Sequence, residues 1–532
     1  MMKKIYLIYW GIACSLVSCS VDGTNWDVDA TAPVMETRLD LTHLIGADHL
    51  SINPDSAINI AVDVPLYTFS FDTLSHLPVA QSVYAYTWTY PTVTLPGGTS
   101  LPGLTSDMSL DNNNIRLSRF DVEKGTLRCT LKSTLTHRLI FRYYIPKVTR
   151  NGTMLEFIDT LQGTPATSDT VIFVRDFNID GYQIDLTGDM GDDFNSLTAY
   201  LDVSTITGDP STVMHNGQTL FKTETQIVEL TPKYAKGYFG QYSFNQSNTT
   251  THLKELQMIR SGLVDVENVN LQLTFHNTIG ADVSFHPVEI KATNTRNGQI
   301  VDLVHSSIGS TININRAVEN NSTTNPLTES NHTFTINSGN SNIESFLELL
   351  PDQLSLLADV QLNPYGNTGG YTDFFYYDHP AYIQMQLNMP LKFSAANLLL
   401  VDTITNPFTD LKILDPLKNG QLIVRVENKF PLQSDLQLYT LDGNNIVTDS
   451  LFANTNILAA PVDASNRVTQ AQTTDLVMEI SAAKVQTLKS AGHLQLKVRF
   501  NTAPSSAGRL QFYSDYYMLV RLIADVKFNI AL

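Results

Sequence analysis

Apolar and polar residues alternate with period two along most of the chain. Leu422-Ile423-Val424-Arg425-Val426-Glu427 and Leu494-Gln495-Leu496-Lys497-Val498-Arg499 both read as strands with one face turned to a core. Asn, Gly, Asp and Pro sit at the breaks. Asn151-Gly152, Asn216-Gly217, Asn297-Gly298 and Asp442-Gly443 each fall between β-rich runs, as hairpins require, and such short connections give antiparallel sheets. Two stretches depart from the alternation. Asn342 can cap a helix over 343–350 that Pro351 ends, and Ser481 can cap a helix over 482–490 with Gly492 as its stop.

A repeat is superimposed on this pattern. Gly125 to Ser133 and Gly420 to Asn428 share a glycine, three alternating apolar positions and a small polar end, and Val269 to Asn277 repeats the strand with its terminal Asn. The physical reading is a half-buried strand ended by a side chain that hydrogen-bonds its own turn. In the copy at 420–428, Leu422, Val424 and Val426 should face the core, while Gln421, Ile423, Arg425 and Glu427 take the other side. The fold class expected is all-β: tandem antiparallel β-sandwiches with a few short helices. Repeat spacing divides the chain into 33–116, 117–250, 251–410 and 411–532, with an Asn/Ser/Thr-rich stretch at 315–342 suited to a long exposed loop or a pair of edge strands. The strand-Asn-turn-strand pattern around Asn277 and Asn428 resembles the water-stress domain of late-embryogenesis-abundant proteins, which implies immunoglobulin-like modules.

Lys3 and Lys4 precede an apolar run from Ile5 to Val17, the order of a secretory signal and too short to span a bilayer. The run ends in Leu16-Val17-Ser18-Cys19, which resembles the lipobox of bacterial lipoproteins. That resemblance implies a signal peptide at 1–18, lipidation of Cys19, a tether at 19–32 and attachment to the outer membrane. The segment Ser20 to Asn25 lacks the acidic cluster that resembles a surface-export signal, which favours the periplasmic face. As a whole the chain resembles large β-rich lipoproteins of the Bacteroidota, whose N-terminus carries a Trp-x-Asp segment, here Trp26-Asp27-Val28-Asp29. Loss of Cys14 with the signal would leave Cys129 as the remaining thiol. Its place in Leu127-Arg128-Cys129-Thr130-Leu131 suits a small buried residue better than a nucleophile.

Composition narrows the function classes. Charged residues make up 16% of the 532, and 52 acids against 34 bases leave a net charge of −18, which argues against a nucleic-acid partner. The 12 histidines lack metal-ligand spacing, His276 and His286 included. Asp189, Asp192 and Asp193 could offer oxygens to Ca²⁺, but the later Glu of an EF-hand loop is missing, and a solvated turn is the simpler reading. No nucleophile elbow, phosphate-binding loop or dinucleotide fingerprint occurs. No catalytic residue, metal or cofactor is therefore assigned. One segment, Tyr365 to Tyr382, sets glycines before an aromatic cluster. Tyr371, Tyr376 and Tyr377 could meet a protein partner or a glycan, or alternate rings could pack beneath a hairpin. The leading expectation is a non-enzymatic, membrane-anchored scaffold or accessory subunit of an envelope assembly. The alternatives are a surface glycan-binding lipoprotein and a hydrolase with scattered carboxylates.

Overall fold

The computed structural model describes residues 25–40, 50–69, 81–109, 114–166, 169–245, 249–252, 259–320, 322–406, 417–452, 455–503 and 508–531. The expected signal peptide at 1–18 and Cys19 lie outside them. The chain is all-β: among the described residues every ladder between strands is antiparallel, and two short helices occur, α1 (Ile343–Glu348) and α2 (Ala482–Ser490).

Two of the three main sheet systems follow the same path. In the Asn277 sandwich, Asn270–Asn277 lies between Ser330–Asn337 and Tyr382–Pro390, with Ile58–Thr68 outside the latter. The facing sheet pairs Val283–Asn294 with Gln353–Leu362, and α1 joins Ser330–Asn337 to Gln353–Leu362. In the Asn428 sandwich, Leu417–Asn428 lies between Gln472–Ser481 and Tyr517–Ala531, with Asn25–Asp40 outside. The facing sheet pairs Leu432–Leu441 with His493–Thr502, and α2 makes the same connection that α1 makes in the first.

The alternation in the sequence explains why these strands sit as they do. Leu422, Val424 and Val426 are buried and Arg425 is exposed, as the period-two pattern predicts; Leu271, Leu273 and Phe275 are buried likewise. Each strand then ends in a fully buried asparagine with the same three bonds. Asn277 Nδ2 donates to Ala281 O (3.0 Å) and Asn315 O (2.8 Å), and its Oδ1 accepts from Ile279 N (3.0 Å). Asn428 Nδ2 donates to Leu432 O (3.0 Å) and Leu458 O (2.9 Å), and its Oδ1 accepts from Phe430 N (2.9 Å). Ser133 does the smaller version of this, donating to Leu220 O (3.0 Å) and accepting from Leu135 N (3.1 Å). A buried side chain thus satisfies backbone groups that the turn would otherwise orphan.

The third system, here the Ser133 sheet, is built on Arg116–Ser133 and Thr219–Tyr238, with Leu139–Arg150 and Gln81–Thr87 among its ten strands. Strand pairing runs across the positions expected as boundaries near 117, 251 and 411. Gln81–Thr87 joins the Ser133 sheet, Ile259–Val266 pairs with Lys392–Thr405 of the Asn428 sandwich, and Ile58–Thr68 belongs to the Asn277 sandwich. The segments are nested, because the first described strand pairs with the last. Asn25 to Asp40 pair with Ala531 to Tyr517, so residues 25–32, expected as tether, lie in strand.

Two local expectations differ. Asn342 precedes α1, but its side chain accepts from Val304 N (2.7 Å) and donates to Asp302 O (2.9 Å) instead of capping, and the helix ends at Glu348. Asn216-Gly217 forms a turn but no hairpin, since Thr212–Met214 pairs with Val93–Leu95. The stretch 315–342 takes the second of its two expected forms, short edge strands: a small ladder of Val318–Glu319 with Leu327–Thr328, followed by the edge strand Ser330–Asn337. Ser481 does cap α2, accepting from Lys484 N (3.3 Å).

The buried apolar residues form two large clusters. One runs through the Ser133 sheet and the Asn277 sandwich, including Phe120, Phe141, Phe275 and Phe346; the other fills the Asn428 sandwich around Phe430, Phe512 and Tyr516. Where the two sandwiches meet, three distant segments close a ring of backbone bonds. Leu391 N donates to Ile58 O (2.8 Å), Ile58 N to Phe512 O (3.0 Å) and Phe512 N to Leu391 O (2.9 Å). Gln511 Nε2 lies within 3.0–3.3 Å of all three carbonyl oxygens.

Candidate functional site

The aromatic segment is a bridge between two sheet systems. Asp373–Tyr376 leaves the Asn277 sandwich and pairs as an edge strand with Tyr234 to Gly237 of the Ser133 sheet. Phe374 packs with Tyr234, Ala317 and Leu327, and Phe375 enters the larger core beside Phe239. Gly280 is required here: a Cβ on it would lie 2.1 Å from the Phe374 ring, and its N–H donates to Phe374 O (2.8 Å). Asp373 is 1% exposed and accepts from Phe239 N (3.1 Å), Asn363 Nδ2 (2.7 Å) and the Arg316 guanidinium. Burial pushes the Asp373 carboxyl above the usual range, against the pull of these donors.

Glu319 is the polar hub of the bridge. It accepts from Tyr234 Oη (2.6 Å), Lys236 Nζ (2.6 Å) and Tyr376 Oη (3.3 Å), and the Tyr234 and Tyr376 rings lie 4.8 Å apart. Burial alone would raise its pKa, but the bonds from Lys236 and Tyr234 outweigh that and hold the carboxyl below the usual range. Burial, with Glu319 close by, pushes the Tyr376 hydroxyl up to about 12. Neither tyrosine is poised to give up a proton near neutral pH.

The three tyrosines do not form one platform. Tyr376 is committed to Glu319 and Tyr234. Tyr371, with φ of 68°, stacks on Phe194 at 4.5 Å and is 40% exposed. Tyr377 is 44% exposed and tied by its backbone N–H to Lys233 O (3.0 Å). The segment thus combines a packed strand with two partly open rings.

The other candidates are placed as follows. Cys129 is buried, and burial pushes its thiol up to about 12, so it is not a thiolate at neutral pH. His276 Nδ1 lies 3.0 Å from Glu329 Oε1 with its ring stacked on Tyr382 at 4.3 Å, while His286 faces Thr311 at 3.4 Å. Asp189 accepts from Tyr200 Oη (2.6 Å), and Asp193 bonds the next residue's N–H in an exposed turn. Among the described residues, no group of three or more His, Cys, Asp or Glu side chains is arranged to hold a metal.

No local pattern in the sequence marks a further cleft at the sandwich junction, because its walls come from five separate segments. Asn53, Asp55 and Asn59 line one side; Asp265, Glu267 and Lys392 another; and Ser465, Arg509 and Tyr513 complete a space of about 810 Å³. Arg509 donates to Asp265 (2.7 Å) and Glu267 (2.8 Å), and Lys392 also pairs with Glu267. The bond from Lys392, with that from Arg509, holds the Glu267 carboxyl below the usual range against its partial burial.

Comparison with known proteins assigns no family. No family model matches the chain, and no curated protein does. Among solved structures, a protein from Parabacteroides distasonis assigned as secreted is 13% identical, covering 54% of this chain and 88% of its own, with a TM-score of 0.25. The infectious bursal disease virus Gx strain structure is 10% identical over 92% of this chain and 85% of its own, with a TM-score of 0.14. These likenesses are too distant to carry an argument about fold or function.

Proposed function

We propose that this protein is an outer-membrane lipoprotein, anchored through Cys19, that acts as a non-enzymatic interaction scaffold or accessory subunit of an envelope assembly. The observation that carries this reading is the pairing of Asn25–Asp40 with Tyr517–Ala531. It makes the anchored end part of the Asn428 sandwich. Asn25 follows Cys19 by six positions, with five residues between them, a span of at most roughly 20 Å even when fully extended. The Asn428 sandwich therefore stands next to the bilayer. The Asn277 sandwich shares its junction, and the Ser133 sheet shares the core of the Asn277 sandwich, so the Ser133 sheet is the unit held out from the anchor. No described helix is long and apolar enough to cross a membrane, and lipid at Cys19 is the attachment proposed.

Cross-linking in intact cells, followed by purification from solubilised membranes, tests the reading. Protein partners should cross-link to residues of the Ser133 sheet, and Cys19→Ala should release the protein from the membrane fraction. Recovery of the anchored protein alone, under conditions that preserve other envelope assemblies, would reject the scaffold role. Membrane retention of Cys19→Ala after a high-salt wash would reject the anchor.

A further inference from the structure

We propose that the cleft at the junction of the Asn277 and Asn428 sandwiches binds a short, uncharged oligosaccharide. The inference goes beyond the scaffold reading and does not depend on it. Its first support is the chemistry of the wall. Asn53, Asp55, Asn59 and Ser465 bring amide, carboxylate and hydroxyl groups that can donate to or accept from ring hydroxyls, while Pro390 and the part of the Tyr513 ring not covered by Arg467, which lies 4.3 Å over it, add apolar surface for the C–H faces of a sugar.

The second support is charge. The cleft's two cations are already matched by its own acids: Arg509 with Asp265 and Glu267, and Lys392 with Glu267. An anionic ligand would have to displace those carboxylates, and a metal ion would have to compete with Arg509 and Lys392 for them. A neutral polyol can bond to the outer sides of the same pairs without breaking any of them.

The third support is rigidity. Beneath the cleft lies the ring of bonds among Ile58, Leu391 and Phe512 with Gln511 over it, and the turn at 53–57 is fixed by Ala57 N donating to Asp55 Oδ1 (3.0 Å). Asn59 Nδ2 donates to Asn53 Oδ1 (3.0 Å), so the two amides already share one orientation. A wall set before binding loses little conformational freedom when a ligand arrives. Its volume of about 810 Å³ falls within the range of ligand pockets in general.

Isothermal titration of the full-length mature protein tests this with maltotetraose, cellotetraose, mannotetraose and xylotetraose as uncharged probes, and with tetragalacturonate and calcium chloride as charged ones. At least one uncharged tetrasaccharide should bind saturably, with affinity that changes little with salt. The double variant Asn53→Ala, Asn59→Ala should weaken that binding about tenfold or more with an unchanged melting temperature. Should the double variant melt early, Ser465→Trp, which fills the cleft from an exposed turn, should abolish binding in a protein that still folds. The proposal is overturned by silence of all four uncharged probes at millimolar concentration. Saturable binding of tetragalacturonate or calcium alone, or tetrasaccharide binding that survives Ser465→Trp, overturns it equally.

Discussion

The Asn277 and Asn428 sandwiches put the same strands, the same helix connection and the same buried asparagine in the same order, yet they use one connection differently. In the Asn428 sandwich, the link between His493–Thr502 and Tyr517–Ala531 pairs Leu510–Gln511 onto Lys392–Thr405 of its own sheet and, through Gln511 and Phe512, bonds to Ile58 of the neighbouring Asn277 sandwich. In the Asn277 sandwich, the corresponding link between Gln353–Leu362 and Tyr382–Pro390 carries Asp373–Tyr376 out to the Ser133 sheet. The framework fixes the core and leaves that loop free to choose its neighbour: the adjoining sandwich in one copy, a third sheet in the other. Helix ends repeat the lesson. Asn294 donates to Leu349 O (3.0 Å) and Leu350 O (3.2 Å) after α1, and Asn406 donates to Leu488 O and Ala491 O (2.8 Å) at the end of α2, but the two asparagines follow strands at different places in the two sandwiches. The carbonyls at a helix end need a donor, and either neighbouring strand can supply it.

The sharpest way to break this comparison is to charge the core of one sandwich. Val424→Asp, in the full chain, places an unpaired carboxylate among Leu422, Leu476 and Val426 and should cost more than about 4 kcal/mol, unfolding the Asn428 sandwich. Circular dichroism melts should then lose a transition while the Ser133 sheet and the Asn277 sandwich, which share the other core, stay folded. The fragment 411–532 is not a fair host for this test, since it lacks Asn25–Asp40 and Lys392–Thr405.

Next come the two asparagines. Asn277→Ala and Asn428→Ala each strip one backbone N–H and two carbonyls of their partner, and each should cost about 2–3 kcal/mol in chemical denaturation. A large loss at one and none at the other would show that the shared geometry does not mean a shared role.

The bridge to the third sheet is sharpened by pH. The Glu319 carboxyl sits below its usual 4.5 in the fold, so its contribution is present above that pH and fades as pH falls through the folded value. Glu319→Gln should therefore be less stable than the native protein at neutral pH, and the gap in melting temperature should close on acidification. A gap that stays constant down to acid pH would mean that Glu319 acts by packing alone. Asp373 works with the opposite sign. Its raised pKa makes the folded state the stronger proton binder, so stability from this group declines as pH rises through the acid range.

The smallest effect should come from Arg425→Ala. Its paired bonds to Asp475 (2.7 and 2.8 Å) lie on the exposed face, and their loss should cost under about 1 kcal/mol. A cost equal to that of Val424→Asp would show that both faces of the strand are buried.

What was legible in the sequence was local. Period two placed Val424 inside and Arg425 outside, and the polar ends of the repeats proved to be turn-binding side chains because an Asx bond spans two residues. Partner choice was not legible, because a ladder between 25–40 and 517–531 leaves no mark on either segment beyond ordinary alternation. For the same reason nothing in Tyr365 to Tyr382 announced that Phe374 would lie against Gly280 and Tyr234. The cleft was hidden more deeply, since its wall exists only after the two sandwiches meet.

The pairing of the first described strand with the last also has a mechanical meaning. Antiparallel ladder bonds lie across the strand axis. A pull on Asn25 directed along its strand therefore loads the fifteen pairs with Tyr517–Ala531 together, in shear, and does not open them one after another like a zip. Under the anchoring proposed above, drag on a bound partner would reach the membrane through the stiffest direction that a sheet possesses.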